Sequence, residues 1–317
     1  MKILVIGGSN FIGWHLVKRL NEISDNVVVF NRGNHDRSYP DWVKHIKGDR
    51  SERNQLRSLA AEEQFDVVFD MCTFNEEHAK DVVYALSGNV KKVVFISSSA
   101  AYTENQVLPL KEDAHCGFHP QWGAYGKAKY DAECVFLNAF NSEQFPVIIV
   151  RPSYVYGPDN TIDRETKLFD RITRNRPVLV PYSGDGVIQL GYIDDLCDAL
   201  MAIAKAKTGV GEVYNISGNE LITLNGFVEL VSCIVGIKAS IYHVDPVKLG
   251  FTQRELFPFE NNTYFTSIEK AQRDFEWSPK VGLYAGLTAS YDLWKCGNSP
   301  IITKYDAENK AIVLLRE

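Results

Sequence analysis

The first thirty residues contain the pattern that most restricts how this chain can fold. Lys2–Ile6 is a short, apolar, β-branched run, typical of a buried parallel strand. Gly7-Gly-Ser-Asn-Phe-Ile-Gly13 follows at once, and residues 14–20 then have helical periodicity. Val27–Phe30 has the composition of a second buried strand. A strand, a glycine-rich turn, a helix and a strand within about 30 residues predict a βαβ unit.

A glycine-rich turn in this position is suited to binding the pyrophosphate of a dinucleotide. Glycines allow the backbone to turn tightly and to approach the ligand, and the positive end of the following helix favours the negative charge. We therefore expect an NAD or NADP cofactor. The expected contacts from this turn are Gly7, Ser9, Asn10, Phe11, Ile12 and Gly13.

The end of the second strand bears on which of the two nucleotides fits. An acidic residue there would bind the ribose 2′-hydroxyl of NAD, whereas a nearby arginine accommodates the 2′-phosphate of NADP. This chain has Asn31 and Arg32 at that position, with no acid. The pattern favours NADP, and the alternative is that Arg32 is simply solvated.

Tyr125 and Lys129 are four residues apart in a segment predicted to be helical, so both side chains share one face. An ammonium beside a phenol favours the phenolate and lowers the pKa of the phenol. Such a tyrosine can exchange a proton with a hydroxyl while a hydride moves at the adjacent carbon. The same spacing also occurs in helices where the tyrosine is only half-buried beside a solvated lysine.

Strands and helices alternate through the first half of the chain. Further strands are predicted over 65–69, 92–96 and 147–150, and helices over 75–87 and 125–140. This recurrence predicts an α/β, Rossmann-type, doubly wound parallel sheet. We expect an NAD(P)-binding domain over residues 1–156, with returning segments near 187–217, and a smaller α/β substrate-binding domain mainly over 157–317.

Four later segments carry more specific expectations. A helix is predicted over 223–235, and the tail 299–317 is predicted to be a hairpin. The charged run from Lys167 to Arg176 is interpreted as a solvated helix, with the alternative that Lys167 faces an anionic substrate. Asp194 and Asp195 are interpreted as the first turn of a helix, where acidic side chains are favoured.

Composition excludes several classes of protein. The net charge of −6 argues against nonspecific nucleic-acid binding, which needs clustered lysine and arginine. No apolar run reaches the roughly 18 residues of a membrane span, and Met1-Lys2 followed directly by a strand leaves no room for a signal peptide. The six cysteines and seven histidines show no metal-ligand spacing, so we expect reduced thiols, no metal and a cytoplasmic location.

Four motifs in a fixed order resemble the extended short-chain dehydrogenase/reductase family, also called NAD-dependent epimerase/dehydratases. Serines at 97–99 precede Tyr102, and the Tyr125/Lys129 pair follows. Arg-Pro-Ser-Tyr-Val-Tyr-Gly-Pro at 151–158 and Tyr-Ile-Asp-Asp at 192–195 complete the series. The resemblance covers essentially the whole chain and implies a homodimer.

The resemblance assigns roles to particular residues. It implies that Tyr125 is the acid/base, that Lys129 lowers its pKa and holds the nicotinamide ribose, and that Ser98, or otherwise Ser99, supplies the catalytic hydroxyl. The remaining implied cofactor contacts are Asp49 and Arg50, Met71 and Cys72, and Pro152. Asn10 stands where the family usually has its second glycine. Because asparagine tolerates a left-handed backbone better than most residues, we expect the turn to survive.

Other segments resemble the branch of this family that contains the chloroplast stem-loop-binding proteins. They are Phe30–Gly33, Lys47–Arg50, Gln189–Tyr192, Tyr214–Gly218, Phe257–Phe259 and Ser267–Ala271. Members of that branch bind and cut RNA and lack the catalytic tyrosine, which this chain keeps. The arginine with which the family usually grips a nucleotide diphosphate is replaced around Gln189 and Leu190.

Three functions therefore remain open from the sequence. The first is an NAD(P)-dependent epimerase, dehydratase or reductase acting on a hydroxyl or ketone of a sugar or nucleotide sugar. Within it, Ser99 and Ala100 stand where a dehydratase commonly has an acid, which argues against dehydration. The second is an RNA-binding or ribonuclease-like protein on the same fold, and the third is a nucleotide-binding protein without turnover.

Overall fold

A computed structural model of the chain describes residues 1–35, 38–104, 107–297 and 304–315. Twelve strands are present in this part of the chain: β1 Lys2–Ile6, β2 Asn26–Asn31, β3 Val43–Lys47, β4 Val67–Asp70, β5 Val93–Ile96, β6 Val147–Pro152, β7 Tyr154–Tyr156, β8 Val178–Pro181, β9 Val187–Tyr192, β10 Val213–Ile216, β11 Leu221–Thr223 and β12 Ile241–Val244.

The helices alternate with these strands through the first half of the chain, as the sequence predicts. They are α1 Phe11–Arg19, α2 Arg53–Glu63, α3 Glu76–Leu86, α4 Gly123–Glu143, α5 Glu165–Thr173, α6 Ile193–Lys205, α7 Leu224–Val235, α8 Gln253–Leu256, α9 Glu269–Phe275, α10 Leu283–Lys295 and α11 Asp306–Leu314, with short 3-10 turns at Leu20–Glu22 and Ser99–Ala101.

Seven parallel strands form the main sheet, in the order β10-β6-β5-β4-β1-β2-β3. The order runs outward in both directions from β1 and β4, which is the doubly wound arrangement of a Rossmann-type fold. The inner strands are almost wholly buried because helices cover both faces, and they are accordingly rich in valine and isoleucine. The α/β fold class predicted from the sequence is confirmed.

The chain divides into two compact units. The first consists of Met1–Ser153, Ile193–Ser217 and Thr266–Pro279, and it contains the seven-stranded sheet. The second consists of Tyr154–Tyr192, Gly218–Phe265 and Lys280–Glu317. It contains a three-stranded sheet in the order β11-β9-β7 and the two-stranded pair β12-β8.

Several sequence predictions match individual elements. The predicted helices over 75–87, 125–140 and 223–235 correspond to α3, α4 and α7. Asp194 and Asp195 lie in the first turn of α6, as their acidic character predicted. No helix within the described ranges is long and apolar enough to cross a membrane.

Two sequence predictions on the second unit were wrong. The run Lys167–Arg176 is not a solvated helix, because α5 buries most of its residues, and Arg171 is almost fully buried. Lys167 forms a salt bridge with the buried Glu308 of α11 rather than facing solvent. The predicted hairpin over 299–317 is replaced, in its described part, by the helix α11, while residues 299–303 and 316–317 lie outside the described residues.

Candidate active site

The glycine-rich turn lies between β1 and α1 at the carboxyl edge of the main sheet. Gly7 and Gly8 have φ angles of +101° and +73°, which residues with a Cβ rarely adopt. A Cβ at Gly13 would lie 2.8 Å from Cα of Gly8, so α1 packs directly on the turn. The backbone of this turn fits a pyrophosphate held at the N-terminus of α1.

Asn10 does not use the left-handed conformation that the sequence suggested for it. Its backbone is extended, with φ −125° and ψ 148°, and its side-chain oxygen accepts a hydrogen bond from the backbone N–H of Phe11. Asparagine is among the preferred residues for this capping position. The substitution of glycine by asparagine is therefore accommodated by capping the helix, while the left-handed positions fall on Gly7 and Gly8.

The loop after β4 forms the next part of the edge. The carboxylate of Asp70, which is fully buried, accepts hydrogen bonds from the N–H of Cys72 at 2.9 Å and from the N–H and hydroxyl of Thr73 at 3.1 and 2.6 Å. The backbone N–H of Met71 donates to the carbonyl of Ile6 at 3.1 Å. Met71 and Cys72 thus lie beside the glycine turn, and the cofactor contact that the family resemblance implies for them stays a prediction.

Arg50 has a structural contact that the sequence did not predict. Its guanidinium donates to the backbone carbonyls of Cys72 and of His78, the latter at 2.8 Å. Arg50 thereby ties the end of β3 to the loop that follows β4. The structure gives this predicted cofactor contact a role in holding the loop.

The other predicted nucleotide contacts lie near the end of β2. The Asn31 side chain contacts Gly7, Gly33, Tyr39 and His45. Arg32 is exposed. The Asp49 carboxylate accepts a hydrogen bond from the N–H of Ser51 at 2.9 Å, and this bond is the main cause of its lowered pKa. Positive charge at Arg32 and Arg50 lowers that pKa further.

Tyr125 and Lys129 lie on α4, one turn apart, and their exposures differ sharply. Tyr125 is 50% exposed, whereas Lys129 is only 3% exposed. The Lys129 amine donates to the carbonyls of Thr73 at 2.7 Å and Ile96 at 2.8 Å, which places it at the ends of β4 and β5. Burial lowers the pKa of Lys129 to about 8. The site thus combines an accessible phenol with a buried amine of reduced basicity.

The three predicted serines follow β5, where the chain leaves the sheet. Ser98 is partly exposed, and its hydroxyl accepts a hydrogen bond from the N–H of Ala100 at 3.1 Å. Ser99 is buried within the 3-10 turn. Gly126 of α4 packs so closely on this turn that a Cβ there would overlap the carbonyl of Ala100. The serines are thereby fixed against the helix that carries Tyr125.

A buried charge network lies beneath these residues and was not predicted. Glu133, which is fully buried, pairs with Arg151 through hydrogen bonds of 3.0 Å to Oε1 and 2.5 Å to Oε2. The hydroxyl of Ser97 also donates to the Glu133 carboxylate. The Arg151 guanidinium lies over the ring of Tyr102, 4.6 Å from its centroid.

The sequence contained a usable signal for this network. Glu133 follows Tyr125 and Lys129 at the same four-residue spacing, so all three lie along one face of α4. Arg151 opens the predicted motif at the end of β6, and the neighbouring Pro152 is buried and pairs with Ile216 of β10. Phe11 and Pro152 are both buried positions, whereas Ser9 and Ile12 are partly exposed at the turn.

Comparison with known proteins agrees with the geometry. A sequence profile described as the NAD dependent epimerase/dehydratase family matches residues 3–217. Among curated proteins, the chloroplast stem-loop binding protein of 41 kDa b from Arabidopsis thaliana is 30% identical over 307 residues, covering 92% of this chain and 79% of that protein. The dTDP-D-glucose 4,6-dehydratase of Homo sapiens is 25% identical over 246 residues, covering 69% of each chain.

Solved structures share the fold over nearly the full length. The UDP-glucuronic acid 4-epimerase from Bacillus cereus, solved with UDP-glucuronic acid and NAD, matches with a TM-score of 0.78. It is 23% identical, and the match covers 93% of this chain and 99% of that one. At that identity the likeness concerns the fold.

Proposed function

The chain belongs to the NAD-dependent epimerase/dehydratase family, and from that premise we propose that it is an NAD(P)-dependent epimerase or reductase. Its substrate is a hydroxyl or ketone of a sugar or nucleotide sugar. The observation that carries the proposal is the placement of Tyr125 and Lys129 on α4, with the Lys129 amine held at the ends of β4 and β5. Relatives named as sugar-nucleotide dehydratases and reductases support the substrate class.

In the proposed mechanism, Tyr125 exchanges a proton with the substrate hydroxyl. Its side chain is accessible, so it can reach a substrate without disturbing the core. Lys129, held by two carbonyls, favours the phenolate of Tyr125 through its positive charge and offers its remaining N–H to a ribose hydroxyl. The Ser98 hydroxyl, or that of Ser99, orients the reacting oxygen by a hydrogen bond.

A bound nicotinamide dinucleotide supplies the hydride acceptor and donor for this chemistry. Gly7, Gly8 and the N-terminus of α1 would hold its pyrophosphate, because their backbone leaves room for a close approach. Arg32 beside β2 supports NADP over NAD. The residues after Ser98 are Ser99 and Ala100, so no acid stands there to support dehydration.

The proposal is tested by turnover. The protein is incubated with NADP or NAD, in oxidised and reduced forms, and with UDP- and dTDP-hexoses, and the products are analysed by NMR and mass spectrometry. An epimerase changes stereochemistry at constant mass without net change in the nicotinamide absorbance, whereas a reductase oxidises the reduced cofactor. Failure of every sugar nucleotide, with intact cofactor binding, would contradict the proposed substrate class.

RNA binding is a second candidate, favoured by the 30% identity to a stem-loop binding protein. The net charge of −6 and the presence of Tyr125 and Lys129 weigh against it. Filter binding of a labelled RNA stem-loop at two salt concentrations tests it. Salt-sensitive binding, together with no affinity for either dinucleotide, would make RNA the better assignment.

A further inference from the structure

The amide of Asn31 at the end of β2 is engaged within the protein. Its Nδ2 donates to the carbonyl of Gly7 at 2.6 Å and to the hydroxyl of Tyr39 at 2.8 Å. Its Oδ1 accepts from the N–H of Gly33 at 2.9 Å and lies 3.0 Å from Nε2 of His45. An amide has two donor hydrogens and two acceptor positions. These contacts use both donor hydrogens and one acceptor position, and the other acceptor position faces the ring of His45. Asn31 therefore stabilises the turn, and residues next to it are the candidates for contacts with the cofactor ribose.

Lys47 is the neighbour that the strand register brings to this turn. It is the last residue of β3 and pairs directly with Asn31, the last residue of β2. Its side chain crosses Gly33: a Cβ added at Gly33 would lie 3.0 Å from Cε of Lys47 and 3.2 Å from Cδ. The glycine therefore leaves the space in which the lysine stem runs toward the Arg32–Gly33 turn.

The charges around the turn favour an anion. Arg32 and Lys47 are both exposed, and within the described residues neither forms a salt bridge. Asp49 lies two residues after Lys47, and its carboxylate accepts a hydrogen bond from the N–H of Ser51 and also interacts with the charge of Arg32. Arg50 is committed to backbone carbonyls. His45 faces the same turn, and burial together with the charge of Lys47 lowers its pKa, which favours the neutral imidazole.

We propose that Lys47 and Arg32 together form the binding site for the 2′-phosphate of NADP, with Lys47 as a specificity-determining residue. This inference rests on the proposed dinucleotide-dependent function. Two cations on adjacent strand ends can contact one phosphate from two directions, whereas Arg32 alone would give a single flexible contact. Because protein contacts hold the Asn31 side chain, it does not provide a hydrogen bond to the 2′-hydroxyl that NAD carries in place of the phosphate.

The test compares two fragments of the cofactor that differ only in the 2′-phosphate, namely adenosine 2′,5′-bisphosphate and 5′-AMP. Calorimetry measures both affinities for the wild type, Lys47→Gln and Lys44→Gln. Lys44 lies on the same strand, is exposed and forms its salt bridge with Glu63 away from the turn, so it is the matched control. NADP and NAD are titrated in parallel.

We expect the wild type to prefer the bisphosphate and Lys47→Gln to weaken its binding about tenfold, since a charge-assisted contact is lost. Binding of 5′-AMP should change less than about twofold, and Lys44→Gln should match the wild type. An unchanged preference in Lys47→Gln, with NADP still bound, overturns the role of Lys47 and leaves the proposed function intact. A wild type that binds neither NADP nor NAD overturns both, and one that prefers 5′-AMP overturns the phosphate site.

Discussion

Two clusters at the same edge of the main sheet handle charge in opposite ways. In the α4 cluster, formed by Lys129, Glu133, Arg151 and Ser97, the charged groups are at most 3% exposed and held by short hydrogen bonds. In the β2 cluster, formed by Asn31, Arg32 and Lys47, the amide is engaged but both cations face solvent.

The difference follows from what each cluster must do. An acid/base tyrosine needs its neighbours fixed to within a fraction of an ångström, and burial with paired charges provides that rigidity. Choice between two nucleotides needs only a charge of the right sign near the ribose. We therefore expect substitutions in the α4 cluster to damage turnover or folding, and substitutions in the β2 cluster to change nucleotide preference at little cost to stability.

The largest expected effect is that of Tyr125→Phe. Loss of the proton-transferring hydroxyl should lower kcat by about 100-fold or more, the usual contribution of general acid–base catalysis. Because the side chain is half-exposed, dinucleotide affinity and the free energy of unfolding should stay near wild type. Tyr130→Phe, on the same helix, is the control. Turnover at the wild-type rate in Tyr125→Phe would eliminate the assigned role.

The buried ion pair is tested next by Glu133→Gln. The change leaves the Arg151 guanidinium buried without its carboxylate, which typically lowers the free energy of unfolding by about 3–5 kcal/mol. Urea unfolding measures the loss. Asp131→Asn on the same helix breaks only the exposed pair with Lys127 and should lower the free energy of unfolding by less than about 1 kcal/mol. If both changes lowered the free energy of unfolding by the same amount, burial would not be what makes the Glu133–Arg151 pair important for stability.

Lys129 should make the stability of the protein depend on pH in the alkaline range. Its pKa is about 8 in the folded state, lowered by burial, against about 10.4 when unfolded. Between these values the unfolded chain binds the extra proton, so the free energy of unfolding rises with pH, by roughly 3 kcal/mol in total.

The measurement compares wild type with Lys129→Met, in which this titration is absent. The wild type should gain stability relative to the variant from pH 8 to about 10.4, because charging the buried amine no longer opposes folding. A difference between the two proteins that stays constant across this range would mean that the amine is not desolvated as described.

The smallest effect on folding is expected in the β2 cluster. Arg32→Gln removes an exposed charge and should change the free energy of unfolding by no more than about 0.5 kcal/mol. It should nevertheless weaken the binding of NADP about tenfold and leave the affinity for NAD unchanged, and calorimetry with both nucleotides measures this difference. If the affinities for both nucleotides fell equally, Arg32 would instead contact a part of the cofactor that NADP and NAD share.

The sequence was most informative where a segment is buried on both faces. The inner strands are continuous apolar runs of this kind. The glycine turn and α4 were located by the spacing of their motifs, and all of these predicted positions agree with the structure within a few residues. β3 escaped prediction because it is an edge strand with only one buried residue, Val43, and its sequence is largely polar. α5 was misjudged since Lys167 and Arg171 are neutralised by Glu308, over 130 residues away in the chain.

Parts of the site depended on contacts that no local pattern records. The motif identified Lys129, but its burial depends on the carbonyls of Thr73 and Ile96, which belong to two other strand ends. Likewise, the sequence placed Arg50 near the nucleotide, whereas its geometry ties it to Cys72 and His78. Such contacts join segments that are distant in the sequence, so they can be identified only from the folded structure.

The most direct test of the central claim is cofactor binding by the protein freed of any nucleotide. Unfolding the purified protein and identifying released nucleotide by mass comes first, followed by calorimetric titration of the refolded or stripped protein with NADP and NAD. We predict binding of both, tighter for NADP, and the same affinities in Tyr125→Phe. Binding of neither nucleotide, especially alongside tight binding of an RNA stem-loop, would contradict the assignment of this sheet edge as a dinucleotide-dependent active site.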